Sequence, residues 1–141
     1  MPNYKEIFHR ISHVQYPLLI LGLFYAYKPL IFGNENIWQD YNYCLVYMGI
    51  AISFTSLSDT KRQSKWAEKL YKNKKFMKGF FIYLLCLILF LFALGFYSLY
   101  QDKVEALKEL ALGIIVLGIG VMGILRMSIE ITEYYNTKQD V

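Results

Sequence analysis

A run of 22 residues without a charged side chain is the strongest constraint on how this chain can fold. It covers residues 79–100 and reads GFFIYLLCLILFLFALGFYSLY. A helix of that length covers about 33 Å, enough to cross the ~30 Å hydrocarbon core of a bilayer. A soluble helix of similar length normally keeps a polar face toward water. We therefore predict a membrane-spanning helix here.

Three further apolar stretches predict additional spans in a chain of 141 residues, at about 7–32, 41–58 and 107–131. The first has a short apolar centre, so an interfacial helix is the alternative reading for it. Since each span needs about 20 residues, no separate soluble domain fits. We expect one all-α transmembrane domain over residues 1–141. Its predicted form is an up-down four-helix bundle, because backbone groups in lipid must be satisfied within helices.

The uneven distribution of basic residues predicts an orientation. Twelve of the 15 lysines and arginines lie on the side that holds both termini and the loop 59–78. Basic residues collect on the cytoplasmic side of membrane proteins, so we predict a multi-pass protein with both termini inside. The opposite side carries three lysines with several acids, and Lys28 is expected to extend toward the interface. The residues assigned to that outer side include Lys28, Lys103, Lys108, Glu35, Asp40 and Asp102.

The basic loop 59–78 is a candidate contact surface. Each lysine beside a span contributes about 1 kcal/mol of attraction to anionic headgroups. Trp66, Leu70, Asn73 and Met77 form a possible amphipathic pattern within it. We predict contact with anionic lipid headgroups or a protein partner but no nucleic acid, since no stacking platform accompanies the charge; the alternative is that the loop only sets the topology. The predicted contact residues are Lys61, Arg62, Lys65, Lys69, Lys72, Lys74, Lys75 and Lys78.

Glu6, His9 and His13 form a candidate metal or proton site. Their spacings of three and four residues place them on one helix face. Pro17 has no backbone N–H, so we expect the carbonyl of His13 to lack its usual helical donor. The alternative is a pair of interfacial histidines. Haem would need a further ligand from another subunit or a methionine, and no cofactor is predicted.

A second polar group is expected at the cytoplasmic ends of the second and fourth spans. Arg126 follows Lys108 by 18 residues, or about 27 Å of helix, and so reaches the inner interface. Acids beyond it share its helix face and could meet the hydroxyls that end the second span. The predicted polar cytoplasmic cluster is Ser53, Ser56, Asp59, Arg126, Glu130 and Glu133.

Gly113, Gly120 and Gly123 fall on one side of the fourth predicted span. Small residues let membrane helices approach closely. We expect this face to pack inside the bundle, with a contact between subunits as the alternative.

Two stretches resemble small uncharacterised four-span proteins of bacterial inner membranes. They are MGIAISFTSLSDTKRQSK at 48–65 and GIGVMGILRMSIE at 118–130. The resemblance implies a bacterial inner-membrane location. It implies no activity or ligand.

No recognised catalytic motif occurs in the sequence, so we do not expect an enzyme. Because nearly the whole chain is assigned to spans, the leading hypothesis is an accessory or assembly subunit of a membrane complex. A small homo-oligomeric channel or transporter is the first alternative. A metal- or haem-linked membrane protein using His9 and His13 is the second.

Overall fold

A computed structural model of the chain describes residues 3–33, 35–57 and 65–139. This part is helical and contains no strand, which confirms the all-α prediction. Asp59, Lys61 and Arg62 lie outside the described residues, and their contacts stay predictions. The helices are α1 (Tyr4–Ser12), α2 (Gln15–Phe32), α3 (Ile37–Thr55), α4 (Lys65–Tyr71), α5 (Lys74–Tyr100) and α6 (Glu105–Gln139).

Three helical segments are long and apolar enough to cross a membrane. They are Tyr4–Phe32, which comprises α1 and α2, and the long helices Lys74–Tyr100 and Glu105–Lys138. α3 is not among them, because its first turns carry Gln39, Asp40 and Asn42 and these lower its mean hydropathy. Length and hydropathy therefore support three spans.

The helix that contains the uncharged run begins earlier than predicted. α5 starts at Lys74 because Asn73 caps it: the Asn73 side-chain oxygen accepts a hydrogen bond from the backbone N–H of Phe76 at 3.3 Å. Asn73 therefore separates α4 from α5, and the predicted amphipathic pattern does not lie on one helix. Its two ends differ accordingly, since Met77 is buried and Trp66 is exposed.

The first predicted span is interrupted at His13 and Val14. Pro17 cannot donate to the carbonyl of His13, but the N–H of Tyr16 does so at 3.2 Å. The prediction of a free acceptor is therefore wrong, because a tighter turn supplies a donor one residue earlier. α1 is a separate short helix in front of α2.

The four long helices lie in an open row in the order α2, α3, α6, α5. α3 packs most extensively against α6, while α5 covers the other side of α6 and α2 packs on α3. Within the described residues, no comparable contact joins α2 to α5. A closed four-helix bundle would bring these two outer helices together, so the predicted bundle is not observed in that form.

The directions of the helices follow from residues that meet along each seam. α2 and α3 are antiparallel, as are α5 and α6, whereas the central pair α3 and α6 is parallel. The pairs that establish these directions are Gln15 with Thr55, Lys28 with Asp40, Gly95 with Ile115, Gly118 with Leu91, Asn42 with Gly113, Gly49 with Gly120, and Ser56 with Gly123.

The α3–α6 seam is too close for side chains at its glycines. A Cβ at Gly49 would lie 2.7 Å from the backbone carbonyl of Val116. One at Gly120 would lie 2.6 Å from the carbonyl oxygen of Gly49. Gly113 and Gly123 also face α3, so the predicted glycine face packs inside the chain.

Candidate functional site

A polar cleft of about 440 Å³ lies at the turn between α2 and α3. Gly33 ends α2 in the left-handed conformation, with φ of 57°, and so lets the chain reverse within a few residues. The reversal brings the C-terminal turns of α2 beside the N-terminal turn of α3. The cleft is lined by Tyr25, Lys28, Glu35, Asn36, Gln39, Asp40 and Tyr43.

An ion pair crosses the cleft from one helix to the other. The Nζ of Lys28 lies 2.8 Å from an Oδ1 of Asp40. The Asp40 side chain is 7% exposed and the Lys28 side chain 31% exposed. A carboxylate buried this far needs charge compensation, so the pair holds the α2–α3 hairpin in register.

Aromatic rings support the lysine from the α2 side. The Nζ of Lys28 lies 5.5 Å from the centre of the Tyr25 ring, within range of a cation–π interaction. Tyr25 stacks on Tyr47 with ring centres 5.5 Å apart, and Tyr43 meets it at 5.4 Å. These contacts fix the ring that faces the ammonium group.

Hydropathy and charge patterns assign Lys28 and Asp40 to the outer side as separate charges and do not predict this pairing. The two residues nevertheless stand at similar distances before and after Gly33. In an antiparallel hairpin such positions meet. The similar spacing around Gly33 could have indicated the pairing. The left-handed conformation of Gly33 reverses the chain and brings the two side chains into contact.

The polar residues of α3 are bound within the protein. The Asn42 side-chain oxygen accepts a hydrogen bond from the backbone N–H of Gly113 at 2.7 Å. At the other end of α3, the hydroxyl of Thr55 lies 2.5 Å from the side-chain oxygen of Gln15. Across the described residues, every buried side-chain nitrogen or oxygen has a hydrogen-bond partner.

Glu6, His9 and His13 are all exposed on α1 and the turn after it. The Nδ1 of His13 donates to the carbonyl of His9 at 2.8 Å, and the two rings meet edge to face. No three His, Cys, Asp or Glu side chains converge on a metal position anywhere in the described ranges. The shared helix face is therefore present, but the three side chains are not assembled around one point.

The members of the predicted polar cytoplasmic cluster have different surroundings. Ser53 and Ser56 lie in the α3–α6 seam, where their hydroxyls donate to the carbonyls of Gly49 and Ser53 at 2.9 and 2.6 Å. Arg126 and Glu130 form an ion pair, with Nε and Oε1 3.4 Å apart, but the Arg126 side chain is 82% exposed. Glu133 is exposed as well.

The described lysines of the predicted contact surface are all exposed, around α4 and the start of α5. α4 packs against both α5 and α6, which holds these lysines near the membrane-facing helices. Lys72 binds Glu68 at 2.7 Å, and this hydrogen bond is the main cause that lowers the pKa of Glu68. The exposed lysines are Lys65, Lys69, Lys72, Lys74, Lys75 and Lys78.

Together these features define an all-helical protein with three helices suited to cross a membrane, a polar cleft at one helix turn and a lysine-rich surface around α4. No model of a known protein family matches the chain, and comparisons with curated proteins and with solved structures also find no match.

Proposed function

We propose that this is a four-span protein of a bacterial inner membrane, with α3 as the fourth span. Its 19 residues cover about 28 Å. α3 lies between α2 and α6, and its polar groups are bound there: Asp40 to Lys28 and Asn42 to Gly113. A helix whose polar groups are satisfied by its neighbours can enter lipid at lower hydropathy.

The proposed orientation places both termini and the lysines around α4 in the cytoplasm. We expect a cysteine at Lys103 to react with a membrane-impermeant maleimide in intact spheroplasts of a bacterial host. A cysteine at Lys75 is expected to react only after permeabilisation. Both positions are exposed, and Cys44 and Cys86 would first be replaced by alanine. Labelling of Lys75→Cys in intact spheroplasts, with Lys103→Cys protected, would contradict the proposed orientation and indicate the opposite one.

Within that membrane, we propose that the protein acts as a non-enzymatic accessory or assembly subunit of a larger complex. The open row of helices is the observation that supports this role. In the most apolar window of Tyr4–Phe32, 6% of the residues are buried, against 28% in Glu105–Lys138. The first span, Tyr4–Phe32, thus contributes little to the internal packing. Most of its surface is available to lipid or to neighbouring spans.

The exposed lysines supply the second proposed contact, with anionic headgroups or an acidic partner on the cytoplasmic side. Replacement of Lys69, Lys74 and Lys75 by glutamate tests this contact and leaves the Lys72–Glu68 pair in place. We expect a partner that co-purifies with the native protein to bind the triple variant about tenfold more weakly, which corresponds to about 1.4 kcal/mol from the three charges.

Native mass after gentle extraction is the measurement. A mass that contains other chains, with reduced recovery for the triple variant and unchanged recovery for Lys103→Glu, would support the accessory role. A homo-oligomer alone would favour the channel or transporter alternative instead. Unchanged recovery for the triple variant would remove the lysine surface from the proposal. Glu6, His9 and His13 provide no assembled site for the metal- or haem-linked alternative.

A further inference from the structure

The polar cleft lies at the level of the outer headgroups if the proposed four spans are correct. Asp40 precedes Asn42 by about half a turn of helix, and Asn42 bonds Gly113 of the parallel helix α6. The cleft therefore lies within about two helical turns of Lys108. With Lys108 and Arg126 at opposite boundaries of the hydrocarbon, the Lys28–Asp40 pair lies close to the outer boundary, within reach of lipid headgroups.

Besides the buried Asp40 carboxylate, the cleft contains one positively charged side chain, Lys28, and one negatively charged side chain, Glu35. A lysine ammonium has three donors, and that of Lys28 remains 31% exposed while it binds Asp40. Glu35 places an exposed carboxylate in the turn, and the amides of Asn36 and Gln39 follow it along the chain and also line the cleft. A ligand with an anion at one end and an ammonium group at the other matches this arrangement.

We propose that the cleft binds the phosphoethanolamine headgroup of a membrane phospholipid. Lys28 contacts the phosphodiester, and Glu35 accepts hydrogen bonds from the primary ammonium. A volume of about 440 Å³ is within the usual range for sites of small ligands.

The hydrocarbon side of the cleft identifies the ligand as a lipid rather than a soluble phosphoester. Phe24 and Leu21 lie about one and two turns before Lys28 on the same face of α2, and their side chains are 54% and 42% exposed. Because α2 runs outward in the proposed orientation, these apolar surfaces lie between the cleft and the centre of the bilayer. They provide contacts for acyl chains whose headgroup occupies the cleft.

Native mass spectrometry of the intact protein in mild detergent tests this inference. The probes are phosphatidylethanolamine, phosphatidylcholine and phosphatidylglycerol with identical acyl chains. We expect phosphatidylethanolamine to bind about tenfold more tightly than the other two lipids. The choline headgroup lacks N–H donors for Glu35, and the glycerol headgroup lacks the cation.

Two variants test the ammonium-binding end and the phosphate-binding end of the site separately. Glu35→Gln is expected to lower the affinity for phosphatidylethanolamine to the level of phosphatidylglycerol, while Glu105→Gln, an exposed acid in the first turn of α6, leaves it unchanged. The paired substitution Lys28→Met with Asp40→Asn removes the ammonium without leaving a buried charge, and is expected to weaken binding of all three lipids.

Equal affinities for the three lipids, or a Glu35→Gln variant with unchanged preference, would overturn the inference. Displacement of the lipid by equimolar glycerophosphoethanolamine would also overturn it, and would assign the cleft to a soluble phosphoester. The inference rests on the proposed membrane placement, which the cysteine labelling tests independently. Absence of lipid preference together with the expected labelling would therefore contradict the cleft assignment and leave the placement intact.

Discussion

Alanine at Gly49 or Gly120 is expected to lower the free energy of unfolding by about 2–3 kcal/mol, in the upper part of the range for overpacked cores. The added Cβ would lie within 2.7 Å of backbone atoms of the opposite helix. Backbone cannot rotate away as a flexible side chain can. The two central helices would have to separate, and α3 and α6 would lose contacts along the whole seam.

The chain contains matched controls for this effect. A Cβ at Gly118 would lie at an ordinary distance of 3.5 Å from Leu91, and one at Gly79 would meet nothing within 4 Å. We expect alanine at either position to change stability by less than about 0.5 kcal/mol, or to stabilise slightly because alanine is the better helix former. Unfolding by SDS in mixed micelles, followed by circular dichroism, measures all four variants. Equal midpoints would contradict the close α3–α6 seam.

Replacement of Lys28 by methionine is expected to destabilise the protein by about 3 kcal/mol. Loss of one partner of a buried ion pair costs about 3–5 kcal/mol because the other charge stays buried without its counter-ion. The lower end applies here, since the Lys28 side chain is 31% exposed. Replacement of Asp40 by asparagine together with Lys28→Met should recover most of this loss, because neither charge remains.

Lys108→Met is the matched control for the Lys28 variant. Lys108 binds Asp102 at 2.9 Å, almost the distance of the Lys28–Asp40 pair, but its side chain is 57% exposed and that of Asp102 83% exposed. An ion pair in water contributes little to stability, so the loss should be small. The same SDS titration compares the variants. A Lys28→Met variant as stable as Lys108→Met would show that the buried pair does not hold the hairpin.

The sequence predicted the helical class and much of each long helix for simple reasons. An uncharged run of 22 residues leaves few alternatives to α5, and the periodicity of Gly113, Gly120 and Gly123 correctly identified a packed face of α6. Periodicity states which side of a helix is buried but not which helix covers it. The parallel contact with α3, and hence the open row, therefore required the three-dimensional structure.

The candidate sites show the same limit. Spacing placed His9 and His13 on one face, but it could not reveal that His13 would bond the carbonyl of His9. Lys28 and Asp40 are 12 residues apart, so no helical periodicity links them. Their contact depends on the left-handed turn at Gly33, and a glycine after an apolar run indicates a helix end without specifying how the next helix returns.

The parallel contact between α3 and α6 also determines when the protein can complete its core. Asn42 and Gly113 are separated by 71 residues, so α3 is synthesised well before its principal neighbour exists. At about 5–20 residues per second, the ribosome needs about 4–14 s to cover that interval. During this time the hairpin of α2 and α3 relies on the contacts between these two helices, among them Lys28–Asp40, Gln15–Thr55 and the stacking of Tyr25 on Tyr47. The time needed to translate α4 and α5 therefore determines how long the α6-binding face of α3 is exposed before α6 can cover it.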